Sequence, residues 1–163
     1  MATESEKKQQ GLAAYQTVCD ALTHYDLKFT EHKEDLVITL SVTGKATPVN
    51  VMIVVNEDRQ DISFMSRLNF PVKDDVRPRM AAAVCMANCT LAFGNFDYDI
   101  PKSIVSYRLS HCFFNTPLNR GLIMVLISRL VTVVDAYYDR FRALGAGVLD
   151  LKNFVKQENE QSS

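Results

Sequence analysis

At 163 residues, 47% hydrophobic and 23% charged, the chain has the make-up of an ordinary globular protein and enough length to bury a core without disulfides or metal. Its formal charge of −1 supplies no basic excess for a phosphate backbone, so nucleic-acid binding is not expected. The polar start from Met1 to Gln10 has no apolar run after its charges, which does not fit a secretory signal and makes a cytoplasmic protein the expectation.

Residues 1–10 are expected to be a disordered tail, 11–157 a single α+β domain and 158–163 a polar C-terminal tail. Leu12, Tyr15, Val18, Cys19 and Leu22 recur at intervals of three and four, which predicts an amphipathic helix ending near Tyr25. Beyond Asp26 the period changes to two: Leu36, Ile38, Leu40 and Val42 share one side of a strand, and Val37, Thr39 and Ser41 the other. A turn from Thr43 to Pro48 leads into a β-branched run at Val49 to Val55, and Asn56 to Arg59 turns that run into a third at Ile62 to Leu68. These three runs form an antiparallel meander closed by Phe70-Pro71.

Asp74 or Asp75 can cap a second helix, where Pro78 is tolerated in the first turn and Val76, Met80, Val84 and Ala87 form the inward stripe. Strands follow at Leu91 to Tyr98 and Ile104 to Phe113, with Gly94 marking a bulge or close backbone approach. Thr116 and Pro117 place the start of the last long helix near Leu118. Its polar residues Ser128, Thr132, Asp135, Asp139 and Arg142 leave one narrow stripe, so the remaining apolar surface must bury against another helix or subunit. Leu122 to Val134 is the most apolar segment, but Arg129 interrupts it well short of the roughly 18 to 20 residues of a membrane span. Gly145 to Gly147 ends the helix, and Val148 to Gln157 can form a short further one. The order α-β-β-β-α-β-β-α indicates an α+β fold, a twisted antiparallel sheet of about five strands with helices on one face.

No residue set has the spacing of an active site. GxGxxG, the phosphate-binding loop and GxSxG are all missing from the sequence, and neither an enzyme nor a cofactor is expected. Cys85 and Cys89 share a helical face, yet no second close pair completes a zinc site; with Cys19 and Cys112 they are expected to be reduced, buried packing thiols. His111 and Cys112 are neighbours on a strand and therefore face opposite ways. Phe93, Phe96, Tyr98, Tyr107, Phe113 and Phe114 concentrate aromatic surface on the second hairpin, as core or as the lining of a peptide groove.

The run Asn88 to Tyr98, with Tyr107-Arg108 on the partner strand and a long apolar helix carrying Asp135, resembles the YbjN family of bacterial proteins. That family is described as sensory transduction regulators and is similar in fold to type III secretion chaperones. The resemblance extends over about Leu12 to Tyr138 and is most specific at Phe93-Gly94-Asn95-Phe96 and Tyr107-Arg108. The chain departs from it at the hairpin tip, where Ile100-Pro101-Lys102-Ser103 stands in place of an acidic residue and glycine. The resemblance implies a cytoplasmic, non-enzymatic protein or peptide binder, chaperone-like or regulatory in stress or signalling, forming a homodimer; charge and hydropathy give no nucleic-acid or membrane partner.

Candidate binding residues are Phe93, Phe96, Tyr98, Tyr107 and Arg108; the candidate dimer residues on the last helix are Leu130, Val131 and Val134. The rival expectation is a small-molecule sensor or uncharacterised enzyme with a pocket between sheet and helices, where Arg108 clamps an anion.

Overall fold

The computed structural model describes residues 3–45 and 47–161, the last five as backbone only. The elements are α1 (Glu4–His24), β1 (Phe29–His32), β2 (Val37–Thr43), β3 (Pro48–Asn56), β4 (Asp61–Leu68), α2 (Arg77–Thr90), β5 (Asn95–Asp99), β6 (Ile104–Cys112), α3 (Arg120–Gly145) and α4 (Leu151–Gln161). All six strands join in one antiparallel sheet of order β1-β2-β3-β4-β6-β5. The fold class is the expected α+β, with one strand more than anticipated. The extra strand, β1, is four residues long, mostly polar, and lies on the sheet edge, where only Phe29 is partly buried. Such a strand carries no hydrophobic alternation to read.

Alternation divides the sheet into two unlike faces. Ile38 and Leu40 of β2, Val49 to Val55 in steps of two on β3, Ile62, Phe64 and Leu68 of β4, and Val105, Tyr107 and Leu109 of β6 are buried on one of them. Against that face α3 lies across β3, β4 and β6 while α1 touches β3. Ile123, Leu126, Ile127, Leu130, Val134, Tyr137, Phe141 and Leu144 of α3 are sealed in this layer. The helix is long and apolar enough to cross a membrane by length and composition, yet its apolar face is the core of this fold. Val37, Thr39, Met52, Val54, Ser63, Met65, Arg67, Ser106 and Arg108 fall on the other face, over which no helix packs among the described residues.

Several terminal expectations are corrected. The first ten residues are not all tail: Glu4 to Gln10 form the first turns of α1, because Thr3 and Glu6 make a reciprocal capping box in which Glu6 N donates to the Thr3 hydroxyl and Thr3 N to the Glu6 carboxylate. Met1 and Ala2 lie outside the described residues, as do Ser162 and Ser163 of the expected C-terminal tail, and residues 158–161 continue α4. The last long helix begins at Arg120 rather than near Leu118, since the Asn119 side chain accepts from Leu122 N at 2.9 Å while Thr116 closes a turn on Phe113. Of the four thiols only Cys19 is buried; Cys85, Cys89 and Cys112 are exposed, two of them on the outward side of α2 and one on the bare face of β6.

The surplus apolar surface of α3 is taken up inside the chain by α1, α2 and α4. Leu130 and Val134, at 0% and 2% exposure, therefore cannot meet a second subunit; of the three candidate dimer positions only Val131 retains accessible surface. Val134→Glu should accordingly cost about 3 kcal/mol or more, because it buries an unpaired carboxylate, and Val131→Glu clearly less. Urea unfolding midpoints of the two variants check this, and equal losses would contradict the packing.

Candidate functional site

The stretch between α2 and β5 is built around a backbone clamp. Asn88, near the end of α2, accepts from Phe96 N at 2.7 Å through its side-chain oxygen and donates to Phe96 O at 2.9 Å through its amide. One side chain thus completes the hydrogen bonding of a strand residue from the neighbouring helix. Gly94 makes the turn into β5 with φ +67°, and a Cβ there would stand 2.5 Å from the Tyr107 hydroxyl and 2.6 Å from Arg108 O. Only glycine combines that conformation with that approach. The Tyr107 hydroxyl donates to Phe93 O at 2.6 Å, and burial raises its pKa against an opposing pull from the Arg129 charge.

Phe96 is then the centre of an aromatic cluster, its ring centroid 5.0 Å from Tyr107, 5.0 Å from Tyr137 and 4.9 Å from Phe141. These two aromatics of the expected binding set, Phe96 and Tyr107, are 2% and 0% exposed and are framework. Tyr98 is half-buried on the same side. Phe93 is 54% exposed with the Arg129 guanidinium 4.1 Å over its ring, beside a cleft of about 240 Å³ between residues 91–93 and α3. Arg108 faces away from all of these, on the bare side of the sheet, and its Nε lies 3.0 Å from the Asp97 carboxylate. Tyr107 and Arg108 therefore cannot share the pocket between sheet and helices that a sensor built on them would need.

The larger hollow lies on the bare face. It has a volume of about 770 Å³ and runs across the strands from Lys28 and Thr30, over Thr39, Ser41, Asn50 and Met52, to Met65, Arg67 and Ser106. A break in the sheet deepens it. The β3–β4 ladder stops at Met52↔Met65, so Pro48 to Val51 and Ser66 to Leu68 have no rung across that seam, although β3 stays paired to β2 and β4 to β6. Asn50, Arg67 and Asn69 line this hollow and also a smaller one of about 240 Å³ on the helix side of the seam. On that side the β2–β3 hairpin is tied to α3, where Asp135 accepts from Lys45 N at 2.9 Å.

The hollow has no clear signature in the sequence, because its residues are the outward halves of strands recognised by their inward halves. The readable signal is the off-core phase, Thr39 and Ser41 on β2 continued by Asn50 and Met52 on β3. Among the described residues no group of three or more His, Cys, Asp or Glu lies together to hold a metal ion.

Six antiparallel strands with helices on one face define an α+β fold shared with solved type III secretion chaperones. A chain of the HopA1–SchA chaperone–effector complex aligns at TM-score 0.56 and 13% identity, covering 80% of this chain and 97% of that one. A chain of the ExsC–ExsE complex aligns at 0.53 and 9%, covering 77% and 90%. YbjN from E. coli aligns at 0.57 and 11%, covering 77% and 92%. The sequence pattern of the YbjN family, described as "Putative bacterial sensory transduction regulator", matches residues 14–143, and the chain belongs to that family. No curated protein matches the sequence.

The clamp makes a direct prediction. Gly94→Ala should destabilise the chain by about 2 to 4 kcal/mol through strain and overlap, and Tyr107→Phe by about 1 to 2 kcal/mol through the unpaired Phe93 carbonyl. Thermal and urea unfolding measure both; a Gly94→Ala chain as stable as the parent would refute the close approach.

Proposed function

We propose that this chain is a non-enzymatic protein-binding module, chaperone-like or regulatory, that holds segments of other proteins on the bare face of its sheet. The observation that carries this reading is the face itself: Val37, Met52, Val54 and Met65 are left only partly buried there, and Met52 and Met65 line a hollow of about 770 Å³. A half-covered apolar sheet surface is what a partner segment shields. Family membership supports a regulatory role, and two structural neighbours at low identity come from chaperone–effector and protein–protein complexes. The reading extends to cytoplasmic residence and to work in stress or signalling responses.

Tagged parent chain and a Met52→Glu/Val54→Glu variant, both captured from the same host lysate, test the face. Both positions are partly exposed, so the variant is expected to melt within a few degrees of the parent while losing the proteins the parent retains. Identical captured sets would remove the bare face from the proposal.

A homodimer belongs to the same proposal, through the apolar side chains of α3 that stay accessible on either side of its polar stripe. Val125, at 46% exposure, and the partly buried Val131 replace Leu130 and Val134 as its apolar residues. Sedimentation equilibrium of a Val125→Glu/Val131→Glu chain should then give the monomer mass; a dimer that survives both changes would mean another surface pairs the chains.

A further inference from the structure

Residues of adjacent strands that face the same way form rows across a sheet. On the bare face Ser41 stands opposite Asn50, and on the far side of the unpaired seam Arg67 stands opposite Ser106 and Ser106 opposite Asp97. Lys28 immediately precedes Phe29, the partner of Leu40, and so falls opposite Ser41 in the same register. The neighbouring row runs Thr30, Thr39, Met52, Met65 and Arg108. From Lys28 and Thr30 as far as Met65, Arg67 and Ser106 these residues line the hollow, and Asp97 and Arg108 lie beyond it.

The charges on this face are unevenly satisfied. Arg108 is held by Asp97 at 3.0 Å, Arg59 by Asp61 at 3.0 Å and Lys102 by Asp99 at 3.3 Å. Lys28 and Arg67 are exposed and make no ion pair among the described residues; Asp99 feels the Arg67 charge only as the last of several influences, behind Lys102. No carboxylate lines the hollow among the described residues, so its two cations face an otherwise neutral surface of hydroxyls, amides and methionines.

Their separation has a consequence. Lys28 stands level with Ser41 beside β2, and Arg67 lies on β4; two paired steps at roughly 4.8 Å per strand and the unpaired β3–β4 step separate their backbones by at least about 14 Å. An extended peptide advances about 3.4 Å per residue and turns every second side chain to the same side, so four residues span about 14 Å with side chains that face alike, and the long lysine, arginine and glutamate side chains reach across the extra width of the seam. We propose that the hollow takes an extended acidic segment of a protein partner. Two carboxylates four residues apart meet Lys28 and Arg67, and an apolar side chain between them rests against Met52 on β3, with Met65 beyond it toward Arg67. Methionine suits that position because its unbranched, polarizable side chain adapts to different apolar shapes. The inference rests on the bare face being the capture surface, and specifies the chemistry of what it captures.

A labelled heptapeptide with glutamates at its second and sixth positions, leucine at the fourth and threonine elsewhere tests it by fluorescence polarisation with the full chain. Binding is expected to weaken with added salt, and about three- to fivefold with either Arg67→Gln or Lys28→Gln, the size expected for one exposed ion pair. Both substitutions are at exposed positions, and unchanged melting temperatures confirm that the variants are folded. Moving the second glutamate to the fifth position turns the carboxylates to opposite sides and should abolish the preference over a glutamine control.

Four results overturn the inference: no binding by the first peptide, equal binding by the glutamine peptide, affinity untouched by both protein variants, or complete displacement by inorganic phosphate at matched ionic strength, which would define a simple anion site. The broader reading is judged separately. If Met52→Glu/Val54→Glu loses its captured proteins while the acidic peptide fails, the capture surface stands and the acidic specificity falls.

Discussion

One-sided burial of the sheet is the constraint on which the rest of the molecule depends. α3 crosses β3, β4 and β6 and draws its own apolar face and theirs into one layer, and α1, α2 and α4 pack around it. An amphipathic strand can be satisfied by one covered face because its backbone is already hydrogen-bonded sideways. The side chains of the second face are then free to be chosen for something other than folding. Here they include cations, hydroxyls and two methionines, a mixture that contributes little to a core.

The most family-specific residues belong to the folding side of that division. Asn88 fastens α2 to the backbone of Phe96, Gly94 permits the close approach, and the Tyr107 hydroxyl holds the Phe93 carbonyl. Phe96 is thereby fixed among Tyr107, Tyr137 and Phe141, linking both strands of the sheet's last hairpin to α3. Residues that must meet at a helix–sheet junction tolerate few alternatives, so they form a recognisable motif. A motif of this kind identifies the fold and says little about the partner.

Legibility in the sequence followed the same division. The inward stripe of α2, the alternation of β2 and the order of the elements were readable because burial imposes a period on apolar residues. β1 escaped because an edge strand of Phe29-Thr30-Glu31-His32 has almost nothing to bury, and the start of α1 escaped because a capping box stabilises a helix without apolar residues. Leu130 and Val134 were assigned to a dimer because periodicity shows that a helix face is apolar without showing what covers it. The exposed thiols of α2 and β6 were misplaced for a related reason: their neighbours in sequence are apolar, while their own positions point outward. The hollow was the least legible feature, since it is a row across strands distant in sequence and only the register brings Lys28, Asn50 and Arg67 together.

That register also ties the two faces to one another. A slip of one residue in any strand would carry its apolar set out of the core, so burial of Leu40, Ile53, Phe64 and Tyr107 fixes the pairing of β2, β3, β4 and β6. Pairing on either side of the seam places Lys28 and Arg67 on the same reverse side, three strands apart in order. Rigidity of the covered face therefore serves as preorganisation of the bare one, lowering the cost of ordering cations on partner binding. The seam beyond Met52 and Met65 is the exception, because there β3 and β4 are not paired to each other and are held by their outer neighbours, by α3 and by the Asp135 tie on the hairpin. Adjustment to partners of different shape is expected to concentrate at that seam, next to Arg67, while the Lys28 end keeps its place.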